Sequence, residues 1–213
     1  MPRSDRKPID RHRVVEAALE LVEREGLEAL TMRRLGRALG VEAMSLYHYF
    51  PSKERLLDAL VEAVVEAMDV SGMEGPGSWE GRLKEGFRAY RRLAHQYPQV
   101  FPLVGRRPVA TLAALRPVEF ALDILRSAGL GPAEALQAFR TLSSFAFGYA
   151  LSELSGFAIA DAARRAGSQG PVDTGGFPRL AEALGHASGV DRDREFEAGL
   201  AIIVAGIQEA YAG

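Results

Sequence analysis

Residues 31–57, TMRRLGRALGVEAMSLYHYFPSKERLL, read as two short helices joined by a tight turn, followed by the start of a third. Thr31 can cap the helix 32–39, because its hydroxyl accepts one of the unpaired N–H groups of a first turn. Met32, Leu35 and Leu39 fall on one helical face and leave Arg33, Arg34 and Arg37 on the others. Gly40 supplies the residue that can turn the chain at a helix end. Val41 follows as an apolar anchor. Residues 42–49 then form a second short helix, with Leu46 inward and Ser45, Tyr47, His48 and Tyr49 contributing polar groups. Phe50-Pro51-Ser52 stops it, and Ser52 caps a longer helix starting at Lys53. A helix–turn–helix of this kind lays its second helix in the major groove of DNA while the first crosses the phosphate backbone.

Working outward, the helix before this stretch starts at a cap on Asp10, with Ile9 and Val14 placed as a hydrophobic staple across it. Val14, Ala18, Leu21 and Val22 form its core stripe, and Gly26 ends it. The first thirteen residues hold five basic side chains (Arg3, Arg6, Lys7, Arg11, Arg13) against Asp5 and Asp10. Two readings stand for them: a solvated start, or an arm laid along phosphates or into the minor groove.

Charge is distributed in the same sense. The chain has 26 Lys+Arg and 28 Asp+Glu over 213 residues, a net of -2 that by itself argues against a nucleic-acid partner. Residues 1–55, however, hold 11 basic against 9 acidic groups, leaving 15 against 19 in the remainder. That asymmetry fits a DNA-binding head on a more acidic body. The absence of cysteine excludes disulfides and thiolate metal sites. No apolar run approaches a bilayer span and no signal-peptide h-region opens the chain, so a soluble, cytoplasmic protein without membrane association is expected.

The rest of the chain is helical in pattern, with no strand signature and no internal repeat. A fourth helix is expected over 53–69, burying Leu56, Leu57, Leu60, Val64 and Met68, and the run SGMEGPG at 71–77 breaks it. Helices are then expected over 78–95, over 108–128 despite Pro117, which should kink or divide it, and from Pro132 at a first helical position to about residue 163. Residues 167–176 read as a polar loop, 178–186 as a short helix and 193–211 as the last one. On that last helix Phe196, Leu200, Ile203 and Ile207 make one apolar stripe, and Ala198, Gly199, Ile202, Ala205 and Gly206 keep the rest of its surface small and apolar. A helix apolar nearly all round must be covered on several sides, which a two-fold bundle between protomers does readily. The fold class is therefore all-α: a three-helix helix–turn–helix domain over 1–52 and a larger helical body over 53–213.

The segment VVEAALELVEREGLEALTMRRLGRALGVEAMSLYHYFPSKERLLDAL, residues 14–60, resembles the TetR family of bacterial transcriptional repressors, and its core pattern is LGV-x4-LY-x2-F followed by K-x2-LL. In the body, SWEGRLKEGFRAY, the GRRP of 105–108 and PRLAEALGHASGVDRDREFEAGLAIIVAGIQ are similar to the C-terminal domain of the tetracycline-repressor branch. The resemblance implies a homodimer on a palindromic operator, released by a small-molecule effector. It also implies that residues 132–163 and 193–211 make a four-helix dimer interface, including Phe196, Leu200, Ile203 and Ile207.

For DNA the same resemblance points to Thr31, Arg33, Ala43, Met44, Ser45, Tyr47, His48, Tyr49 and Lys53. Arg33 matches an arginine that reads guanine or phosphate. Tyr47 and Lys53 match positions that grip phosphates, and His48 and Tyr49 stand where Trp-His stands in the branch. Ala43 and Met44 replace glutamine and proline, which removes bidentate adenine readout and favours contact with a thymine methyl.

For the effector it points to Met68, Gly86, Tyr90, Leu103, Arg107, Pro108, Phe120, Phe139 and Phe147, residue types that serve equally as plain core. The branch holds a magnesium–tetracycline chelate through two histidines and an asparagine. Here those places hold Leu103, Asp69 and Gly86, so little remains to grip a metal chelate, and a less polar effector is expected. No cofactor and no metal are expected. The four histidines lie apart without ligand spacing, and no nucleophile elbow, P-loop or dinucleotide motif occurs, so no enzymatic activity is expected. The competing reading is a helical dimeric module that binds a small molecule or a protein and has no DNA partner.

Overall fold

The computed structural model describes residues 9–156, 176–186 and 190–211. Ten α-helices and two short 3-10 turns account for most of them, and no strand occurs among the described residues. The helices are α1 (Arg11–Glu25), α2 (Met32–Leu39), α3 (Ala43–Tyr49), α4 (Lys53–Glu66), α5 (Ser71–Glu74), α6 (Trp79–Gln96), α7 (Leu112–Ser127), α8 (Pro132–Ser155), α9 (Pro178–Gly185) and α10 (Arg192–Tyr211).

Several boundaries lie where the local chemistry puts them. Asp10 accepts the Arg13 N–H at 2.8 Å, Thr31 accepts from Arg34 and Ser52 from Arg55, so the three caps expected from the sequence form. Pro132 occupies the first turn of α8, where its missing N–H costs nothing. Other boundaries move. The fourth helix ends at Glu66, and the glycine-rich break encloses the one-turn α5. Residues 108–111 are not helical; α7 starts at Leu112 and carries Pro117 inside a continuous helix. Helix α8 stops at Ser155 before Gly156 at φ 81°, and the expectations for residues 157–163 and 167–175 lie outside the described residues.

By packing, the chain forms two compact units: residues 1–68 with 96–117, and residues 69–95 with 118–213. In the first, Val14, Ala18, Leu21 and Val22 of α1 meet Leu35 of α2, Leu46 of α3, Phe50, and Leu56, Leu60 and Val61 of α4 in one core. The 96–117 segment is pinned to this unit by carboxylates. Glu23 on α1 accepts the N–H groups of Gln99 and Val100 at 3.2 and 3.1 Å, and burial raises its pKa despite those bonds. Along α4, Asp58 binds Arg107 at 2.6 Å, Glu62 accepts from Ala110 and Thr111, and Glu66 accepts the Thr111 hydroxyl at 2.8 Å. Positions 58, 62 and 66 are four apart and share one face of α4, so a single helical stripe holds the whole turn.

In the second unit, Leu83, Phe87 and Leu93 of α6, Ile124 and Leu125 of α7, Leu142 of α8 and the α10 residues Phe196, Leu200, Val204 and Ile207 are buried. Met73 of α5 lies over Gly86, where an added Cβ would stand 2.8 Å from its sulfur. A polar seam joins α6 to α8 and α10. Arg91 makes a two-pronged pair with Glu153 at 2.5 and 2.7 Å and reaches Asp193 at 2.8 Å. Arg88 forks onto Glu197 at 2.5 and 2.6 Å and holds that carboxyl below its ordinary range. The Arg91 guanidinium also lies 4.9 Å from the Phe196 ring centroid, so charge and apolar packing meet at the same place.

Candidate nucleic-acid interface

Helix α2 uses three of its residues to enter the core and leaves its cations outside. Met32, Leu35 and Gly36 are buried; Arg33, Arg34 and Arg37 are exposed. Arg34 is engaged in an ion pair with Glu25 at the end of α1, whereas Arg33 and Arg37 make no ion pair among the described residues. The turn that follows is built on two glycines. Gly40 adopts the left-handed conformation (φ 69°, ψ 35°), and its N–H returns to the Arg37 carbonyl at 3.2 Å. Gly36 lies where a Cβ would come within 2.8 Å of the Val41 carbonyl oxygen and 3.2 Å of the Ala43 nitrogen. The close approach of α2 to the start of α3 therefore depends on a missing side chain. Sequence reasoning passed over Gly36, although a glycine inside a helix, costing about 1 kcal/mol against alanine, is a signal that something comes near.

Helix α3 has one fully buried residue, Leu46, with Phe50 buried directly after it. Around that anchor Met44 is 76% exposed and Tyr47 41%, Ser45 and His48 are exposed, and Ala43 is half-buried. A largely bare methionine on a seven-residue helix stabilises nothing within the chain. Tyr49 is half-buried and differs from its neighbours: its hydroxyl donates to the Ile9 carbonyl at 2.7 Å, and its ring meets His48 edge-on at 5.7 Å. Lys53 stands half-buried in the first turn of α4, at the positive end of a helix dipole, where a cation gains nothing from its own helix and an anion would be welcome. Thr31, Arg33, Ala43, Met44, Ser45, Tyr47, His48, Tyr49 and Lys53 thus all lie in the first unit, on the α2–α3 pair and its borders.

The nine residues expected around an effector divide between the units. Met68, Leu103, Arg107 and Pro108 belong to the first, and Gly86, Tyr90, Phe120, Phe139 and Phe147 to the second. Arg107 donates from Nη1 to both the Asp58 carboxylate and the Glu54 carbonyl, anchoring its own segment. Tyr90 is held above its ordinary pKa by burial, and Phe139 packs on Phe87 with ring centroids 6.5 Å apart. Of the expected dimer stripe, Phe196, Leu200 and Ile207 are covered within the chain, and Ile203 is half-buried. Phe196 stacks on Phe145 at 5.6 Å and meets Tyr149 at 5.2 Å. The face of α10 left bare holds Ala198, Ala201, Ile202 (73% exposed), Ala205 and Gly206. In an apolar-all-round helix, periodicity alone did not say which side the chain itself would cover.

A capped helix, a glycine turn and a short second helix with an outward-facing surface make this a helix–turn–helix DNA-binding regulator with a helical C-terminal body. Residues 14–60 match the model of the bacterial regulatory proteins of the tetR family, and residues 71–211 match the tetracyclin repressor-like C-terminal domain. The chain is 33% identical over 198 residues to the tetracycline repressor protein class A from transposon 1721 of Escherichia coli, covering 91% of this chain and 88% of that one. It is 34% identical over 142 residues to the HTH-type transcriptional repressor DrrR1 of Streptomyces coeruleorubidus, 67% of this chain; the matched stretch spans 53% of that relative, about half its length. Among solved structures, the TetR family protein ActR of Streptomyces coelicolor in complex with actinorhodin superposes with a TM-score of 0.80 at 30% identity, over 97% of this chain and all of that one. The chain belongs to the TetR family of transcriptional regulators.

Proposed function

We propose that this protein is a homodimeric repressor that binds a palindromic DNA operator through α2 and α3, and that a small apolar or aromatic effector releases it. In this reading residues 1–52 read DNA and residues 53–213 form the regulatory and dimerisation body. The observation that carries it is the outward surface of α3, where Met44 and Ser45 stand bare on a helix whose one fully buried residue is Leu46. Met44 is suited to a thymine methyl, Ser45 to a base edge, and Arg33 to a guanine or a phosphate. Tyr47, His48 and Lys53 serve the backbone, which fixes register without reading sequence.

The second protomer packs on the bare α10 face, Ala198, Ala201, Ile202 and Ala205, and on the outward side of α8 around Leu136, itself 48% exposed. Small residues let two helices approach closely, and the stripe of Phe196, Leu200, Ile203 and Ile207 backs that contact from within. Dimerisation sets two copies of α3 one helical turn of DNA apart, about 34–36 Å.

The effector departs from tetracycline. Leu103, Asp69 and Gly86 stand where the tetracycline-repressor branch presents two histidines and an asparagine, so the grip on a magnesium chelate is gone. ActR is described in complex with actinorhodin, and an aromatic natural product is the effector class we favour here. Its binding would shift the dimer between two states by its difference in affinity for them. No catalytic role is assigned, and the protein acts in the cytoplasm.

Fluorescence anisotropy with DNA from the gene's own upstream region, against a scrambled fragment, tests the reading. Specific, salt-sensitive binding that Arg33→Ala weakens by about tenfold or more is expected. Equal affinity for both fragments, with no specific site in a genome-wide pull-down, would return the protein to the helical module without a DNA partner.

A further inference from the structure

Helix α2 carries three arginines on eight residues, and only one of them has a partner within the chain. At about 100° per residue, Arg33, Arg37 and Arg34 lie about 60°, 100° and 160° round the helix from Gly36, in the direction away from the buried Met32 and Leu35. Gly36 marks the side that abuts the start of α3, because a Cβ there would come within 2.8 Å of the Val41 carbonyl oxygen. Arg33 and Arg37 are therefore the arginines next to α3. Arg34 stands furthest round, where it pairs with Glu25 of α1.

Arg37 has no such use. It is exposed and makes neither an ion pair nor a side-chain hydrogen bond among the described residues, and the same holds for Arg33. Its helical neighbours three and four places away are Arg33, Arg34, Gly40 and Val41. Two of them are cations and none is a carboxylate, and like charges at these spacings destabilise a helix. Its place in the last turn suits the helix dipole, but that asks only for a cation and does not call for a second one a turn earlier. Two mutually repelling guanidinium groups beside the recognition helix are an arrangement that an external anion relieves.

We propose that Arg37 grips a backbone phosphate of the operator, on a strand bordering the major groove that α3 enters. The inference rests on α3 being the recognition helix and extends that site along α2. The planar fork of an arginine suits a phosphate. Such a contact fixes register and orientation and carries no sequence information, so Arg37 adds affinity without adding selectivity.

Operator affinity measured over a salt series tests it, on the full chain. Arg37→Gln should lower the slope of log affinity against log salt by about one for each bound protomer. It should also weaken binding by one common factor on the selected operator and on single-base variants of it, leaving the base preferences as they were. Arg37→Lys keeps the charge and should keep the slope. Arg34→Gln removes an equal charge from the same helix and should leave the slope near that of the wild type, since that guanidinium is turned to Glu25. An unchanged slope in Arg37→Gln overturns the proposal, and a lower melting temperature in that variant would then assign Arg37 to the helix dipole alone. A loss of slope as large in Arg34→Gln also overturns it, by making the effect one of net charge. A changed base preference at one position does the same, by making Arg37 a reader of bases. Wild-type protein that binds operator and scrambled DNA alike removes the recognition-helix reading itself, and with it the surface on which Arg37 acts.

Discussion

Helices α3 and α10 both turn apolar side chains to solvent, Met44 on one and Ile202 on the other, yet they are held in opposite ways. Helix α3 has seven residues, far too few to be stable alone, and a single fully buried anchor in Leu46. The rest comes from its two ends: the left-handed Gly40 and the close passage of Gly36 before it, and the Tyr49 bond to Ile9 and the buried Phe50 ring after it. Helix α10 has twenty residues, four buried side chains, a two-pronged Arg88 pair from α6 on Glu197 and an Arg91 contact on Asp193. The head keeps its outward surface free by confining its side-chain packing to Leu46 and the C-terminal end of the helix. The body can leave a small, flat apolar face bare because its other side is heavily packed. An exposed methionine among polar neighbours suits a groove with donors, acceptors and methyl groups, whereas an exposed isoleucine among alanines suits another helix.

If that contrast is right, the two regions should fail differently. The largest effect is expected for Phe196→Ala, which empties the stack with Phe145 and Tyr149 and should cost about 3–5 kcal/mol in thermal or chemical unfolding. Next comes Glu153→Gln. The Glu153 side chain is only 4% exposed, and its loss leaves Arg91 to the exposed Asp193, so a destabilisation of about 3 kcal/mol is expected by the same measurement. In the head the sensitive positions are glycines. Gly40→Ala forces an L side chain into the left-handed region and should cost about 1 kcal/mol, read as a lower melting temperature together with weaker DNA binding. A Gly40→Ala protein that loses stability like Phe196→Ala would erase the distinction.

The parts legible in the sequence are those with a local cause. Asp10, Thr31 and Ser52 cap their helices, Gly40 turns left-handed and Pro132 opens α8, because each depends on a residue type and its immediate neighbours. The parts that were not legible depend on distant partners. Nothing near Tyr49 announces that its hydroxyl will meet Ile9, forty positions away, or that Arg11 will cover Phe50. Arg34 and Arg33 look alike in sequence, and only the end of α1 separates them by giving Arg34 a carboxylate. Arg107 is similar: its match to a family motif suggested a ligand contact, and nothing in that motif announces that its Nη1 will reach Asp58 and the Glu54 carbonyl, some fifty positions away.

The central claim is that the bare side of α3 reads sequence, and operator selection from a random DNA library with wild-type protein and with Met44→Gln tests it most directly. Met44 contributes nothing to the core, so the variant should fold and dimerise as before. The selected operator should change at about one base pair in each half-site and keep its spacing and all other positions, glutamine favouring adenine there. An identical operator for both proteins would contradict the account and move sequence reading to another surface.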